Sequence, residues 1–163
     1  MSIPMMTPIR TKMPRRTGLT APWVRLVREA PAPTTAAPKS MQNPRSVFEL
    51  VREDMEALEV ESFQIVALDS QHGAIGRHEV SRGILNASLV HPREVFRTAI
   101  ALNAAALILV HNHPSGDPTP SPNDRAVTQQ LIDAGRLLDI PVLDHIIVGH
   151  RGRYMSFSES GLM

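Results

Sequence analysis

One stretch, 107–124, limits what this chain can fold into more than any other. Leu107-Ile108-Leu109-Val110-His111 is a short, unbroken apolar run ending in histidine, the pattern of a central strand covered on both faces. Prolines at 114, 118, 120 and 122, with Gly116 among them, follow directly and rule out continued strand or helix. Regular structure resumes at Ser121-Pro122-Asn123-Asp124. Ser121 suits the N-cap, Pro122 the first helical position and Asp124 the third, beside the positive end of the helix dipole. A helix is predicted over 122–138, with Ala126, Leu131, Ala134 and Leu138 among its inward residues.

The flanking sequence extends this unit. Ser46-Val47-Phe48-Glu49 has the form of a capping box. Phe48, Val51, Met55 and Leu58 then recur at helical spacing, predicting a helix over 46–58. The run 63–68 reads as a strand and 69–73 as its turn, so a strand over 74–81 can return as a hairpin. His91-Pro92-Arg93-Glu94 opens a helix to about residue 103, and strands follow at 142–148 and 154–157. The order α-β-β-α-β-α-β-β predicts a three-layer α/β domain over 46–163 with a mixed sheet, the hairpin forcing some antiparallel pairing.

Residues 1–45 have another texture. They hold eight of the 14 prolines, eight Lys/Arg and a single acid, Glu29. Such a segment cannot pack a core and reads as a disordered, proline-rich basic arm. The remainder is acidic, so the net charge of +1 conceals a split. The arm is a candidate contact for DNA or another polyanion, or simply a solvated tail. One island, 23–28, holds the only Trp and could form a turn or two of helix. Met41 is an alternative start, just before the folded pattern.

Cysteine is absent, which excludes disulfides, a Cys nucleophile and Cys-based zinc fingers. The longest apolar stretch, 104–110, is too short to span a bilayer, and no secretory signal is visible. The expectation is a soluble, cytoplasmic protein without membrane contact.

Any metal must therefore be held by His, Asp or Glu. His111 and His113 lie two apart at a strand end, so both side chains leave the same face. Asp124, in the first turn of the next helix, can be folded back onto that strand tip. Three protein ligands with a fourth position open is the pattern of catalytic zinc, one ion per site. A His-x-His pair alone is weak, and the prolines could merely stiffen a loop. The full string at a strand-loop-helix junction is far more specific. His-Asn-His does not indicate an HNH nuclease, whose motif residues are spread over a ββα unit.

His111-x-His113-x7-Ser121-x2-Asp124 matches in full the motif of JAMM (JAB/MPN) metalloproteases. The words Ser81-Arg82-Gly83, Val90-His91-Pro92-Arg93-Glu94-Val95, 111–117 and Leu143-Asp144-His145 are more specific still, and over 46–163 the chain resembles the RadC family. The resemblance implies a JAB/MPN-like (cytidine-deaminase-like) three-layer fold and hydrolysis of a peptide, isopeptide or similar amide bond by a zinc-activated water. It also implies an upstream catalytic glutamate, here Glu61 in Glu61-Ser62-Phe63, with Glu94 as the competitor. Ser121 is implied as the donor to the developing oxyanion, a role that competes with plain helix capping. RadC proteins of full length resemble one another in an N-terminal helix-hairpin-helix region that has no counterpart here, so the chain looks like a short, catalytic-domain form.

The ligand histidines need acceptors for their second ring nitrogens. Asp144 is a candidate, though it could equally pair with an arginine. His145, among apolar neighbours, reads as a core histidine rather than a ligand. His91 reads as shaping a helix start, and His72, His78 and His150 as surface residues. Two rival functions remain. A DNA-repair-associated protein draws support from the family label and the basic arm, against an acidic domain with only 4% aromatic residues. A zinc-holding adaptor without activity would need neither Glu61 nor Ser121. Cytidine deaminase chemistry is excluded by the missing cysteines. The peptide or protein substrate and the oligomeric state are not specified by the sequence.

Overall fold

The computed structural model describes residues 40, 41, 43–83 and 90–163. The predicted basic arm, its Trp23 island included, lies outside the described residues up to position 39. The described elements are α1 (Pro44–Glu56), β1 (Ser62–Leu68), β2 (Ala74–Arg82), α2 (Pro92–Ala101), β3 (Ala106–Asn112), α3 (Pro122–Leu138), β4 (Val142–Val148) and β5 (Tyr154–Ser156). Their order is the predicted one. Among these residues no helix is long and apolar enough to cross a membrane.

The first helix starts earlier than the Ser46 capping box predicts. Asn43 is the N-cap, its side chain accepting from the Ser46 N–H at 2.8 Å, while the Ser46 hydroxyl donates back to the Asn43 carbonyl at 2.7 Å. Asn43-Pro44 is a competing helix start, because proline costs nothing at a position whose N–H has no intrahelical partner. Ahead of it, the Met41 N–H bonds the His72 carbonyl at 2.8 Å and the Met41 side chain is buried. The described fold thus reaches back past Ser46.

The five strands form one sheet in the order β2-β1-β3-β4-β5. β1 runs antiparallel to both β2 and β3, β3 and β4 are parallel, and β5 returns antiparallel on β4. α3 makes the crossover that the parallel pair requires. β1 and β3, two of the three inner strands, are buried along their whole length, as the unbroken apolar run 107–110 predicted.

Alternation along the strands sends side chains to two cores. Phe63, Ile65, Ala67, Leu107 and Leu109 pack with Val95, Phe96, Val127 and Leu131 of α2 and α3. Val66, Leu68, Ile108, Val110, Ile146 and Val148 pack on the other face with Phe48, Val51 and Met55 of α1. Each large apolar side chain fully buried this way contributes about 1.5–3 kcal/mol relative to exposure. The result is the three-layer α/β domain expected. His111 continues the Leu107–Leu109 row, so it emerges on the α2/α3 face, where α3 begins.

Candidate metal centre

α3 enters the sheet face through a complete capping box. Ser121 accepts from the Asp124 N–H at 3.1 Å, and the Asp124 carboxylate accepts from the Ser121 N–H at 2.7 Å. The box sets the Asp124 rotamer and points its free oxygen at the tip of β3. There His111 Nε2 lies 3.2 Å from Asp124 Oδ1 and His113 Nε2 lies 3.4 Å from Asp124 Oδ2. The two Nε2 atoms are 2.9 Å apart. His111 and Asp124 are buried, and His113 is partly open to solvent.

The proton on each imidazole follows from its other nitrogen. His113 Nδ1 donates to the Asp117 carbonyl at 2.7 Å, which leaves a lone pair on Nε2. For His111 the chain of donors is longer. Thr128 donates its hydroxyl proton to the Asp124 carbonyl, one helical turn back, so its oxygen can only accept from His145 Nδ1, 2.6 Å away. His145 Nε2 is then an acceptor and takes the proton of His111 Nδ1 at 2.8 Å. His111 Nε2 therefore also carries a lone pair.

Two lone pairs and a carboxylate converge on one point. A cation there satisfies all three, whereas two imine nitrogens facing each other at 2.9 Å repel. A tetrahedral zinc site with metal–nitrogen bonds of about 2.0–2.1 Å separates its ligands by roughly 3.3–3.4 Å. The imidazole–carboxylate separations of 3.2 and 3.4 Å match that spacing, and the two Nε2 atoms, 2.9 Å apart, need only a small outward shift to admit the ion. The residues fit a single divalent ion with one coordination position left over.

Electrostatics agree. Burial by itself would raise the Asp124 carboxyl, but its contacts with His111, His113 and Ser121 outweigh burial and hold it well below the usual carboxylate range. Burial lowers the pKa of His111 and lowers that of His145 strongly, keeping both neutral. The Asp124 carboxylate raises His113.

The loop carrying His113 is sewn to the β4–β5 turn. The His113 N–H bonds the Val148 carbonyl at 2.9 Å, and the Gly116 carbonyl accepts from the His150 N–H at 3.2 Å and from the Arg153 guanidinium at 2.7 Å. Gly149 has no room for a side chain, since a Cβ there would sit 2.6 Å from the Gly116 oxygen.

Glu61 immediately precedes β1. Phe63 pairs with His111 in the antiparallel ladder, so two residues earlier Glu61 comes level with His113. Its charge reaches both histidines, favouring their cationic forms. Glu94 sits elsewhere, in the first turn of α2, paired with Arg97 at 2.9 Å and Arg93 at 3.5 Å.

Asp144 is not the acceptor for either ligand histidine. Its carboxylate takes the His145 N–H, the Ser158 N–H and the Ser156 hydroxyl at 2.6–2.9 Å, tying β4 to the C-terminal turn. Neighbouring strand residues face opposite sides, so Asp144 and His145 cannot both reach His111. His145 is the core histidine expected, and in addition it relays the orientation of His111. Thr128 lies outside the sequence motif. Its position four residues after Asp124, on the same helix face, is the signal that could have found it. His91 caps α2 without a side-chain hydrogen bond. His72 and His78 are exposed, and His150 is half-buried against Gly116.

A family model described as "RadC-like JAB domain" matches residues 41–162. A UPF0758 protein of Symbiobacterium thermophilum is 54% identical over 121 residues, covering 74% of this chain and 51% of that protein. UPF0758 proteins of Moorella thermoacetica and Desulfitobacterium hafniense are 50% and 48% identical over 123 residues, covering 76% of this chain and 53% and 54% of their own lengths. The chain spans about half the length of the curated relatives it matches.

Proposed function

This chain belongs to the RadC-like JAB domain family, and from that membership and its three converging donors we propose that it is a zinc-dependent hydrolase of peptide, isopeptide or related amide bonds. The observation that carries the proposal is the hydrogen-bond polarity that leaves lone pairs on His111 Nε2 and His113 Nε2 beside the Asp124 carboxylate. A hydrogen-bonded pair of structural histidines would not need both Nε2 atoms deprotonated and aimed at each other.

A zinc ion held by His111, His113 and Asp124 supplies Lewis acidity toward the scissile carbonyl and brings the pKa of a bound water to near 7. Glu61 takes the proton of the attacking water as the new C–O bond forms, then returns it to the leaving amine as the C–N bond breaks. The Ser121 hydroxyl donates to Asp124 Oδ2 at 2.7 Å and thereby holds the ligand. To serve the oxyanion its single proton must turn from that oxygen to the substrate, which rotation about the Cβ–Oγ bond accomplishes without moving the cap. The buried His145–Thr128 chain holds His111 against rotation.

The test uses the zinc-loaded protein and a mixed peptide library, scored by newly formed amines. Glu61→Gln should keep one zinc per chain and lose about 100-fold or more in rate. His113→Ala should lose both zinc and rate. Unchanged hydrolysis in Glu61→Gln, or zinc and hydrolysis surviving in His113→Ala, would contradict the proposal.

A further inference from the structure

Asn112 stands between the two ligand histidines in sequence, and β-alternation turns its side chain to the opposite sheet face. It is buried to 2% exposure, and both ends of its amide are used. Oδ1 accepts from the Ser62 N–H at 2.8 Å, and Nδ2 donates to the Val60 carbonyl at 3.0 Å. These two backbone groups bracket Glu61. On the other side of the strand the Glu61 carbonyl accepts from the Gly83 N–H at 2.8 Å. Gly83 has φ +112°, a value that side-chain-bearing residues rarely adopt.

The backbone pairing of β1 with β3 ends at Phe63 and His111. Beyond that point the Asn112 amide takes over as the rung between the strands. It bonds one group ahead of Glu61 and one behind, so the Glu61 backbone cannot slide or tilt relative to His111 and His113 without breaking both.

We propose that Asn112 is a positioning residue: it clamps residues 60–62 to the strand that carries the histidines and so sets the distance from Glu61 to the metal centre. The proposal rests on the hydrolase reading for its catalytic consequence, though not for the clamp itself. Asn112 touches neither ion nor substrate. A geometric error of about 1 Å in a catalytic group costs roughly 100-fold in rate, so the clamp matters for turnover more than for binding.

Three readouts test it. In metal-free protein, hydrogen exchange at the Ser62 amide should quicken by about tenfold or more in Asn112→Ala, with the Ile65 and Leu109 amides unchanged, because the opening is local. Zinc affinity should be unaltered. In the peptide-library assay kcat should drop about 100-fold with KM kept, and Asn112→Ala combined with Glu61→Gln should be no slower than Glu61→Gln alone. Asn112→Asp keeps the acceptor for Ser62 and loses the donor to Val60, so it should fall between wild type and Asn112→Ala. It also carries the test if Asn112→Ala does not fold. Unchanged Ser62 exchange overturns the clamp. Wild-type turnover, loss only in proportion to lost zinc, or a loss that adds to that of Glu61→Gln overturns the positioning role. A wild-type protein that binds zinc but cleaves nothing overturns the hydrolase reading, while the Ser62 exchange still decides the clamp.

Discussion

Thr128 has one hydroxyl proton, and its destination decides which nitrogen of His111 is free. Given to the Asp124 carbonyl, it forces the order Thr128 ← His145 ← His111. Thr128→Val keeps the volume but removes the acceptor for His145 Nδ1. His145 then favours its other tautomer, donates toward His111, and displaces the His111 proton to Nε2. Zinc affinity should fall about 10–100-fold, as for other lost partners of ligating histidines, measured by competition with a chelator; unchanged affinity would contradict the chain of donors. His113 makes the site sensitive to pH. Its pKa is raised above 6.5 by Asp124, so in metal-free protein the stability it contributes is present below that range and lost as pH rises through the folded value. Zinc competes with the same proton, so apparent affinity should fall about tenfold per unit as pH drops below the raised pKa, which zinc titrations at a series of pH values would show. The three converging donors were legible at this scale. Period two places His111 and His113, and the Ser121 cap places Asp124. Thr128 and His145 were not, because their roles depend on which strand lies beside β3.

The 113–118 loop, which carries His113, is braced by the turn between β4 and β5. Prolines stiffen the loop, but its position comes from Gly149, His150 and Arg153, more than 30 residues later in the chain. Gly149→Ala would push a methyl group to 2.6 Å from the Gly116 oxygen. The backbones must separate, at a cost of about 1–3 kcal/mol, and His113 moves with its loop. A lowered unfolding temperature together with weaker zinc binding is expected; unaltered values for both would mean the two segments are not mechanically joined. Helix and strand order were readable from hydrophobic period together with caps, prolines and turn residues. The start of α1 was not, because Asn43-Pro44 and Ser46-x-x-Glu49 are both sound helix starts. Burial of Met41 favours the earlier one, a tertiary effect that local sequence does not carry.

Across the whole domain, the centre exists because antiparallel β1 and parallel β4 flank the same strand. β1 brings Glu61 to His113, β4 brings His145 to His111, and the crossover helix between β3 and β4 brings Asp124. A three-layer α/β domain was predictable from the alternation of elements, and the site motif from the spacing at 111–124. The strand order β2-β1-β3-β4-β5 was not, since hydrophobic period says which face is buried and nothing about which edges pair. This explains why the sequence points to Glu61 only through family resemblance, and why nothing in it marks Asn112 as a clamp. The central claim is that His111 Nε2, His113 Nε2 and Asp124 hold one divalent ion. The most direct measurement is an anomalous difference map, collected at the zinc edge from crystals of protein purified without added chelator. One peak is expected, about 2.0–2.2 Å from each of the three donor atoms, with a non-protein ligand in the fourth position. A peak elsewhere, a fourth protein ligand closing the site, or no peak from protein equilibrated with zinc would contradict it.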